Sequence, residues 1–533
     1  HIHAFYNFVI VLAGPYGAGC TSLACELQKI IADWPGCFPI MIKVSKIIEG
    51  AAKDLGIKNS SYDSSTSEGR RRFLQFCGTE LRKLEPTIVG KLIAAEIARE
   101  GANYEKRLIN EKEIPSALFF VIDSLKNSND YFALKQIYND ELFFTFVHAN
   151  AEHRFNRMVK YKSWKTETRA TFFDLDKIDS DEKAYVENVG EAGQEVRKLS
   201  SLADYYIVNN HSNLEELQGH GKRVVNLILG YNNQPTFNEK AMHLAYSASN
   251  RSFCLSRQVG AAIVDINGDI IGVGHNDVPK AGGGLYTIEN SPDDKRCYTV
   301  GDRRCTNDLE KESKINDIIL QLPKEIKETA DINQIKQSIE NSEFSNITEF
   351  CRAVHAEMEA LLSACRVSGR STIGSYMYVT TQPCDNCIKH ILCAGISKVY
   401  FIEPYPKSLA SKLHGESIAL DPVDDKKEVG KLLVLPYNGV APKRFHDFFS
   451  KNHRRKDGDG YALRFLKKHL ASEPKFSQKI MKRCRSVIFE NNYDLSLLDQ
   501  HVLFAELENG IEISEFINER RIKNGRKREK REA

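Results

Sequence analysis

The stretch NFVIVLAGPYGAGCTSLA, residues 7–24, decides the fold of the first half of the chain. Its opening residues, 7–13, are almost all apolar, which predicts a buried strand. The glycines that follow predict a tight loop, and the apolar periodicity of 21–32 predicts a helix. A strand that passes through a glycine loop into a helix is the setting in which a backbone cradles phosphate.

This loop fits the pattern G-x-x-x-x-G-x-[ST], with one departure. Gly14, Gly17 and Gly19 let the backbone approach a phosphate closely, and Thr21 supplies a hydroxyl suited to Mg²⁺. Cys20 stands where the pattern has lysine, so this position cannot supply the charge that bridges the β- and γ-phosphates. We therefore expect these five residues to bind a nucleotide and doubt that they transfer its phosphate, since phosphoryl transfer depends on placed charge.

Strands and helices alternate through residues 1–230. Further buried strands are predicted at 117–125, which contains Asp123, and at 141–149 and 203–210. Helical patterns lie between them, so this region predicts a parallel α/β domain. Asp123 could be a second acidic partner of a bound Mg²⁺, although an Asp at a strand end is common for packing reasons.

The second half carries two short motifs with metal-ligand spacing, HAE at 355–357 and PCDNC at 383–387. One imidazole and two thiolates provide three zinc ligands and leave a fourth position open, which is typical of a catalytic zinc. Cys384 and Cys387 are three residues apart at a predicted helix start, so both sulfurs can face one ion. The sequence predicts zinc ligation by His355, Cys384 and Cys387.

Glu357 lies two residues from a predicted ligand and is not needed as one. It can take a proton from a zinc-activated water and pass it to a leaving amine. The arrangement H-x-E…P-C-x-x-C is typical of zinc-dependent nucleobase deaminases. A structural zinc, or unrelated core cysteines, is the alternative, which the combined motifs and the predicted strand at 375–381 disfavour.

The rest of the chain divides around these motifs. We predict a polar linker at 231–236, the zinc domain at 237–450, and a helical appendage with a basic tail at 451–533. The zinc domain contains a polar insertion, 277–350, with little strand signal. Cys297 and Cys305 in this insertion could hold a second metal, but unpaired thiols are favoured.

Four segments occur in the order seen in deoxycytidylate deaminases: SRQVGAAIVD at 256–265, GHNDVP at 274–279, then HAE and PCDNC. Apart from the insertion, residues 237–420 resemble that family. The resemblance implies a cytidine-deaminase-like α/β/α fold, a deoxycytidine nucleotide substrate and a homo-oligomer. It also implies that Asn276 contacts the sugar of the nucleotide, the alternative being a turn residue at a strand end.

The whole chain resembles the bacterial anti-phage dCTP deaminases, in which a degenerate P-loop domain precedes a deaminase domain. The segments at 403–418 and 437–449 add to this resemblance. It implies zinc-dependent deamination of dCTP, dCMP or both, which depletes the dCTP pool during infection. It also implies a regulator, in some members a small RNA.

Two segments of the first domain, 203–217 and 151–158, resemble the last strand and helix and the arginine-bearing segment of small P-loop kinases. This resemblance implies a kinase-like fold. A nucleotide sensor that regulates the deaminase, a decayed structural domain and an active kinase stay open as functions. The missing lysine favours the sensor over the kinase.

Bulk properties set limits on partners and compartment. The net charge is only +3, which does not indicate a nucleic-acid binder. No apolar run approaches the ~18 residues of a membrane span, so we expect no membrane contact. Thirteen unevenly spaced cysteines favour reduced thiols and a cytoplasmic protein. Eight Lys and Arg residues within 520–533 form either a solvated tail or a salt-sensitive contact to a regulatory RNA.

Two other functions compete with a nucleotide deaminase. A nucleic-acid-editing deaminase would share the zinc chemistry but would need a basic groove with aromatic side chains. The segment 274–279 offers little of that. A nucleotide-binding module with an inert deaminase fold is disfavoured by the intact HAE and PCDNC motifs.

Overall fold

The computed structural model describes residues 6–450, except 58–64, 112–116, 163, 165–167, 185, 187–189, 211–213 and 231–233. It contains two compact units. The first comprises the described residues through Gln234 and those from His446 onward, and the second comprises Pro235–Phe445. The predicted appendage and basic tail, 451–533, lie outside the described residues.

The first unit alternates strands with helices. Its strands are β1 Tyr6–Ala13, β2 Cys37–Lys43, β3 Ala117–Leu125, β4 Leu142–His148 and β5 Tyr205–Val208. Its helices are α1 Cys20–Ala32, α2 Val44–Asp54, α3 Ser67–Leu84, α4 Ile88–Glu111, α5 Ser128–Tyr138, α6 Ala151–Lys162, α7 Arg169–Ser180, α8 Val196–Ser200 and α9 Leu214–Ile228.

These five strands pair in parallel, in the order β5-β4-β1-β3-β2. Residues 9–13 of β1 and 117–122 of β3 are almost fully buried, as expected for central strands covered on both faces. The α/β class expected from the sequence is confirmed. The sequence pattern does not predict β2, because Pro39 argues against a strand. β2 pairs only with β3 among these strands, and an edge position tolerates proline.

The second unit has a mixed sheet. Its strands are β6 Gly260–Val264, β7 Ile270–His275, β8 Tyr376–Thr381, β9 Lys398–Glu403, β10 Ile418–Leu420, β11 Leu432–Pro436 and the two-residue β12 Gly439–Val440. Its helices are α10 Phe237–Ser249, α11 Thr306–Leu320, α12 Lys324–Thr329, α13 Ile332–Glu340, α14 Ala356–Ser363, α15 Asp385–Cys393 and α16 Ala410–Leu413. The last helix, α17 Phe445–Phe449, begins at the final residue of this unit, and its other residues belong to the first unit.

Six of these strands form one sheet in the order β10-β11-β9-β8-β6-β7. β6 is antiparallel to β7 and β8, whereas β8, β9, β11 and β10 run parallel. The apolar core joins strand residues such as Ile263 and Val379 to Ala356 and Ala360 of α14 and Ile388 of α15. This packing fixes the starts of α14 and α15 against the sheet.

Gly274 of β7 explains how closely α14 approaches the sheet. A Cβ at this position would lie 2.3 Å from the backbone nitrogen of Ala360 and 2.5 Å from the carbonyl oxygen of Ala356. Only glycine leaves room for the helix backbone there. The position of α14, and of the residues at its start, therefore depends on this glycine.

The predicted insertion contains the helices α11, α12 and α13, which lie between Thr306 and Glu340. Many of its side chains are exposed. Across the residues that the structure describes, no helix combines the length and the apolar character needed to cross a bilayer.

Candidate functional site

Two helix starts position the predicted zinc ligands. His355 is the N-cap residue of α14, and Cys384 is the N-cap residue of α15. Cys387 lies in the first turn of α15, and its backbone N–H donates to the carbonyl of Cys384 at 3.1 Å. The helix–strand–helix arrangement α14–β8–α15 is present, and it brings the three side chains together from two separate segments.

The ligand atoms converge at a distance that suits one ion. His355 Nδ1 lies 3.4 Å from Cys384 Sγ and 3.3 Å from Cys387 Sγ. Zinc bonds of about 2.0–2.3 Å in a tetrahedral site place two ligands about 3.5 Å apart. Among the described residues, the side chains of His355, Cys384 and Cys387 form a group that could hold one metal ion, since their ligand atoms all lie within 4.8 Å of one another. The donor types and their spacing fit zinc.

Hydrogen bonds among the three side chains shift the pKa of each of them. A hydrogen bond from Cys387, followed by one from His355, lowers the pKa of the Cys384 thiol to about 4. The same partnership with Cys384 raises the pKa of His355 to about 9. The hydrogen bond to Cys384, together with burial, raises the pKa of Cys387 well above its ordinary value. A bound cation takes the place of the protons in these hydrogen bonds and stabilises both thiolates.

Glu357 is buried in the first turn of α14, with 4% of its surface exposed. Burial raises the pKa of its carboxyl group, and nearby His355 opposes this rise. A side-chain hydrogen bond joins Glu357 to Cys387. The predicted proton carrier therefore lies directly beside the predicted ligands.

Asn276 follows β7 and is 7% exposed. Its Oδ1 accepts from the backbone N–H of Val259 at 2.7 Å, and its Nδ2 donates to the carbonyl of Arg257 at 2.8 Å. The amide thus fastens the segment before β6 to the end of β7. Its second lone pair and second N–H leave room for a further partner, and the sugar contact stays a prediction.

Four cysteines line one narrow cavity of the second unit: Cys254, Cys297, Cys305 and Cys351. A hydrogen bond from Cys351 lowers the pKa of Cys254 to about 6. The sequence points to Cys297 and Cys305 as a pair but not to Cys254, because Cys254 lies before the insertion and shares no motif with the cysteines inside it. Among the described residues, these thiols do not meet the metal-ligand spacing of the first group.

The glycine loop leads into α1 as expected. Gly19 is the N-cap residue with a φ of +105°, and a Cβ there would lie 2.4 Å from Asn209 Nδ2. Cys20 is 8% exposed, and burial raises the pKa of its thiol to about 12, so it contributes no charge near neutral pH. Thr21 and Asp123, the two residues proposed for Mg²⁺, are hydrogen-bonded to each other.

Cationic side chains from elsewhere in the first unit hold the loop carbonyls. Lys126 Nζ donates to the carbonyl of Gly14 at 2.8 Å. Arg154 and Arg157 donate to the carbonyls of residues 16–18 at 3.1–3.4 Å. The arginine-bearing segment is recognisable in the sequence, whereas the only sequence signal of Lys126 is its place directly after the strand that contains Asp123.

The second unit is similar to a known protein family. The family described as "Cytidine and deoxycytidylate deaminase zinc-binding region" matches residues 235–403. Deoxycytidylate deaminase of Enterobacteria phage T4 is 32% identical over 175 residues, which are 31% of this chain and 78% of the phage protein.

Two solved structures are each similar to part of the chain. The apo dCMP deaminase of cyanophage S-TIM5 is 21% identical with a TM-score of 0.20, covering 38% of this chain and 99% of its own. APS kinase of Mycobacterium tuberculosis is 10% identical with a TM-score of 0.23, covering 42% of this chain and 97% of its own.

Proposed function

The chain belongs to the cytidine and deoxycytidylate deaminase family, and on this premise we propose that it deaminates deoxycytidine nucleotides, dCMP, dCTP or both, by zinc-dependent hydrolysis. One observation carries the proposal. A buried carboxyl group, Glu357, lies against three converging ligand atoms of the kinds and spacing that zinc requires.

The residues divide the chemistry between them. His355, Cys384 and Cys387 would hold the zinc, which when bound would supply the Lewis acidity that makes water a nucleophile near neutral pH. Glu357 accepts a proton from the attacking water and delivers it to N3 of cytosine. After attack at C4, Glu357 takes the remaining proton from the hydroxyl group now on C4 and transfers it to the departing amino group, so that the hydroxyl becomes the carbonyl of uracil. Cytosine and water are consumed, and uracil and ammonia are formed.

Free nucleotides are the proposed substrates, and editing of nucleic acid is the alternative. A free nucleotide needs no extrusion from a helix, so a small pocket suffices. The resemblance to anti-phage dCTP deaminases supports a role in depleting dCTP during infection. It also supports a regulator, in some members a small RNA, and the glycine loop supports regulation by a nucleotide.

A substrate panel tests this function. The purified protein is incubated separately with dCTP, dCMP, deoxycytidine, CTP and a cytosine-containing oligonucleotide, and mass spectrometry follows the exchange of the amino group for oxygen. Metal-depleted protein is the control. We expect the zinc-loaded protein to convert dCTP or dCMP and the metal-depleted protein to convert neither. Conversion of the oligonucleotide alone would instead establish an editing enzyme.

A further inference from the structure

A carboxylate of the first unit pairs with one backbone N–H of the glycine loop and with a lysine beside the loop. Asp179 Oδ2 accepts the backbone N–H of Tyr16 at 2.9 Å and the ammonium of Lys126 at 3.0 Å. Asp179 is 2% exposed. Burial alone would raise its pKa, but Lys126 and Arg71 outweigh burial and hold the pKa below its ordinary value, so the group is ionised.

Lys126 supplies a charge that the loop itself lacks. Its Nζ lies between the carbonyl of Gly14, 2.8 Å away, and the carboxylate of Asp179. Cys20, at the position where the loop pattern has lysine, is a neutral buried thiol. Lys126 therefore brings an ammonium group to the loop from the end of the neighbouring strand β3.

Arg71 adds an unused donor at the same place. Its side chain is 5% exposed, and its guanidinium lies 4.3 Å from the centre of the Tyr16 ring. Nη2 donates to the carbonyl of Leu175 at 3.0 Å, whereas Nη1 is buried with no hydrogen-bond partner among the described residues. A buried, unpaired guanidinium nitrogen is costly and points to an anionic partner.

The start of α1 provides the remaining donors. Gly19 caps this 13-residue helix, and no side chain caps its first turn. Backbone N–H groups at a helix start favour phosphate. The loop region thus offers helix N–H groups, the ammonium of Lys126 and one unpaired guanidinium nitrogen, and the carboxylate of Asp179 pairs with that ammonium.

We propose that the glycine loop binds the phosphates of a nucleoside triphosphate, that Lys126 and Arg71 supply the positive charge, and that Asp179 closes the site until phosphate displaces it. The proposal extends the proposed regulation of the deaminase by a nucleotide at the glycine loop, and its functional meaning rests on that proposed function. Its test measures binding alone, so a failure here is distinguishable from a failure of the deaminase.

Displacement of Asp179 has a structural consequence for α7. This helix also carries Leu175, which accepts from Arg71, and Asp176, which forms a bidentate pair with Arg154. All three contacts tie α7 to cations around the loop. A phosphate bound to Lys126 and to the neighbouring donors would replace the contact between Lys126 and Asp179. Nucleotide binding should therefore make α7 less tightly held to the loop.

The first test compares the affinity of the full-length protein for Mg·ATP and for tripolyphosphate, measured by calorimetry, with that of Asp179→Asn. The variant keeps the size of the side chain but removes the competing charge, and both probes should bind about tenfold more tightly or better. Asp174→Asn is the matched control: it removes a carboxylate from the same helix, at a site 70% exposed, and should leave both affinities unchanged.

The Lys126→Met change, made in the Asp179→Asn protein, should abolish the gain. Equal or weaker binding by Asp179→Asn would overturn the proposal, as would a gain that survives loss of Lys126. Hydrogen exchange in the unsubstituted protein covers the case in which Asp179→Asn fails to fold. Mg·ATP should speed exchange in residues 169–180, and unchanged or slower exchange there would contradict displacement.

Discussion

The zinc-ligand cluster and the glycine loop both lie at helix starts, but their polar atoms are used differently. At the cluster, three ligand atoms from α14 and α15 converge on one another within 4.8 Å. At the loop, carbonyl oxygens and one N–H are paired with charged side chains of the same unit. A sequence motif therefore predicts which ligand a site suits. Whether the site is open to that ligand depends on side chains that contact the motif from distant parts of the chain.

The largest effect is expected at the cluster. His355→Ala removes one of three ligands, so zinc should fall far below one ion per chain. The rate of dCMP or dCTP deamination should drop by about 10³–10⁴-fold, since zinc supplies several kcal/mol of transition-state stabilisation. Metal analysis and a deamination assay on the same samples measure both quantities.

Cys393→Ser is the matched control for this change. Cys393 is an exposed thiol at the end of α15, so its loss should leave zinc content and rate as they are. An active His355→Ala protein with full zinc content would break the comparison, because the cluster would then be no more than a packing feature.

A second effect concerns the cysteine that replaces the loop lysine. With a pKa of about 12, Cys20 stays protonated at pH 8, and its thiolate fraction is roughly 10³ lower than that of a thiol with an ordinary pKa. Cys25 on the same helix is exposed and serves as the internal reference. Peptide mass spectrometry after iodoacetamide treatment should show Cys25 modified and Cys20 protected until the protein is denatured. Equal labelling in the native protein would mean that the loop is open.

The smallest effects are expected from substitution of one glycine at each site, which tests whether the zinc-ligand cluster and the glycine loop are independent. Gly274→Val forces the backbone of α14 away from β7, which should cost about 1–3 kcal/mol and weaken zinc binding by about 10–100-fold. Gly19→Val strains a positive-φ position and meets Asn209, so nucleotide binding should weaken while zinc content is retained. Thermal unfolding, zinc analysis and ATP titration check both variants.

Loss of zinc from both variants would contradict the prediction that the zinc-ligand cluster and the glycine loop are independent sites.

The sequence predicted the parts of the fold that depend on local patterns. The spacing of Cys384 and Cys387 at a helix start and the buried strands at 7–13 and 117–125 are visible in short windows, and the structure contains them. The α/β class follows from the same alternation. The roles of the zinc ligands, Glu357 and Asn276 stay predictions that the experiments above address.

The parts that the sequence did not predict depend on distant contacts. Asp179 meets the N–H of Tyr16 from 163 residues away, and Lys126 meets Gly14 from 112 residues away. Neither pairing leaves a periodic or motif signal, because only the assembled sheet brings the strand ends and α7 to the loop. Cys254 joins the other thiols of its cavity for the same reason.

The most direct test of the central claim is the deamination rate of Glu357→Gln in zinc-loaded protein. Glutamine keeps the shape of the buried side chain but cannot carry the proton. The account predicts that the variant retains one zinc per chain and deaminates the preferred nucleotide about 10²–10⁴-fold more slowly. A zinc-loaded variant as fast as the parent protein would contradict the account, because Glu357 would then have no part in the chemistry.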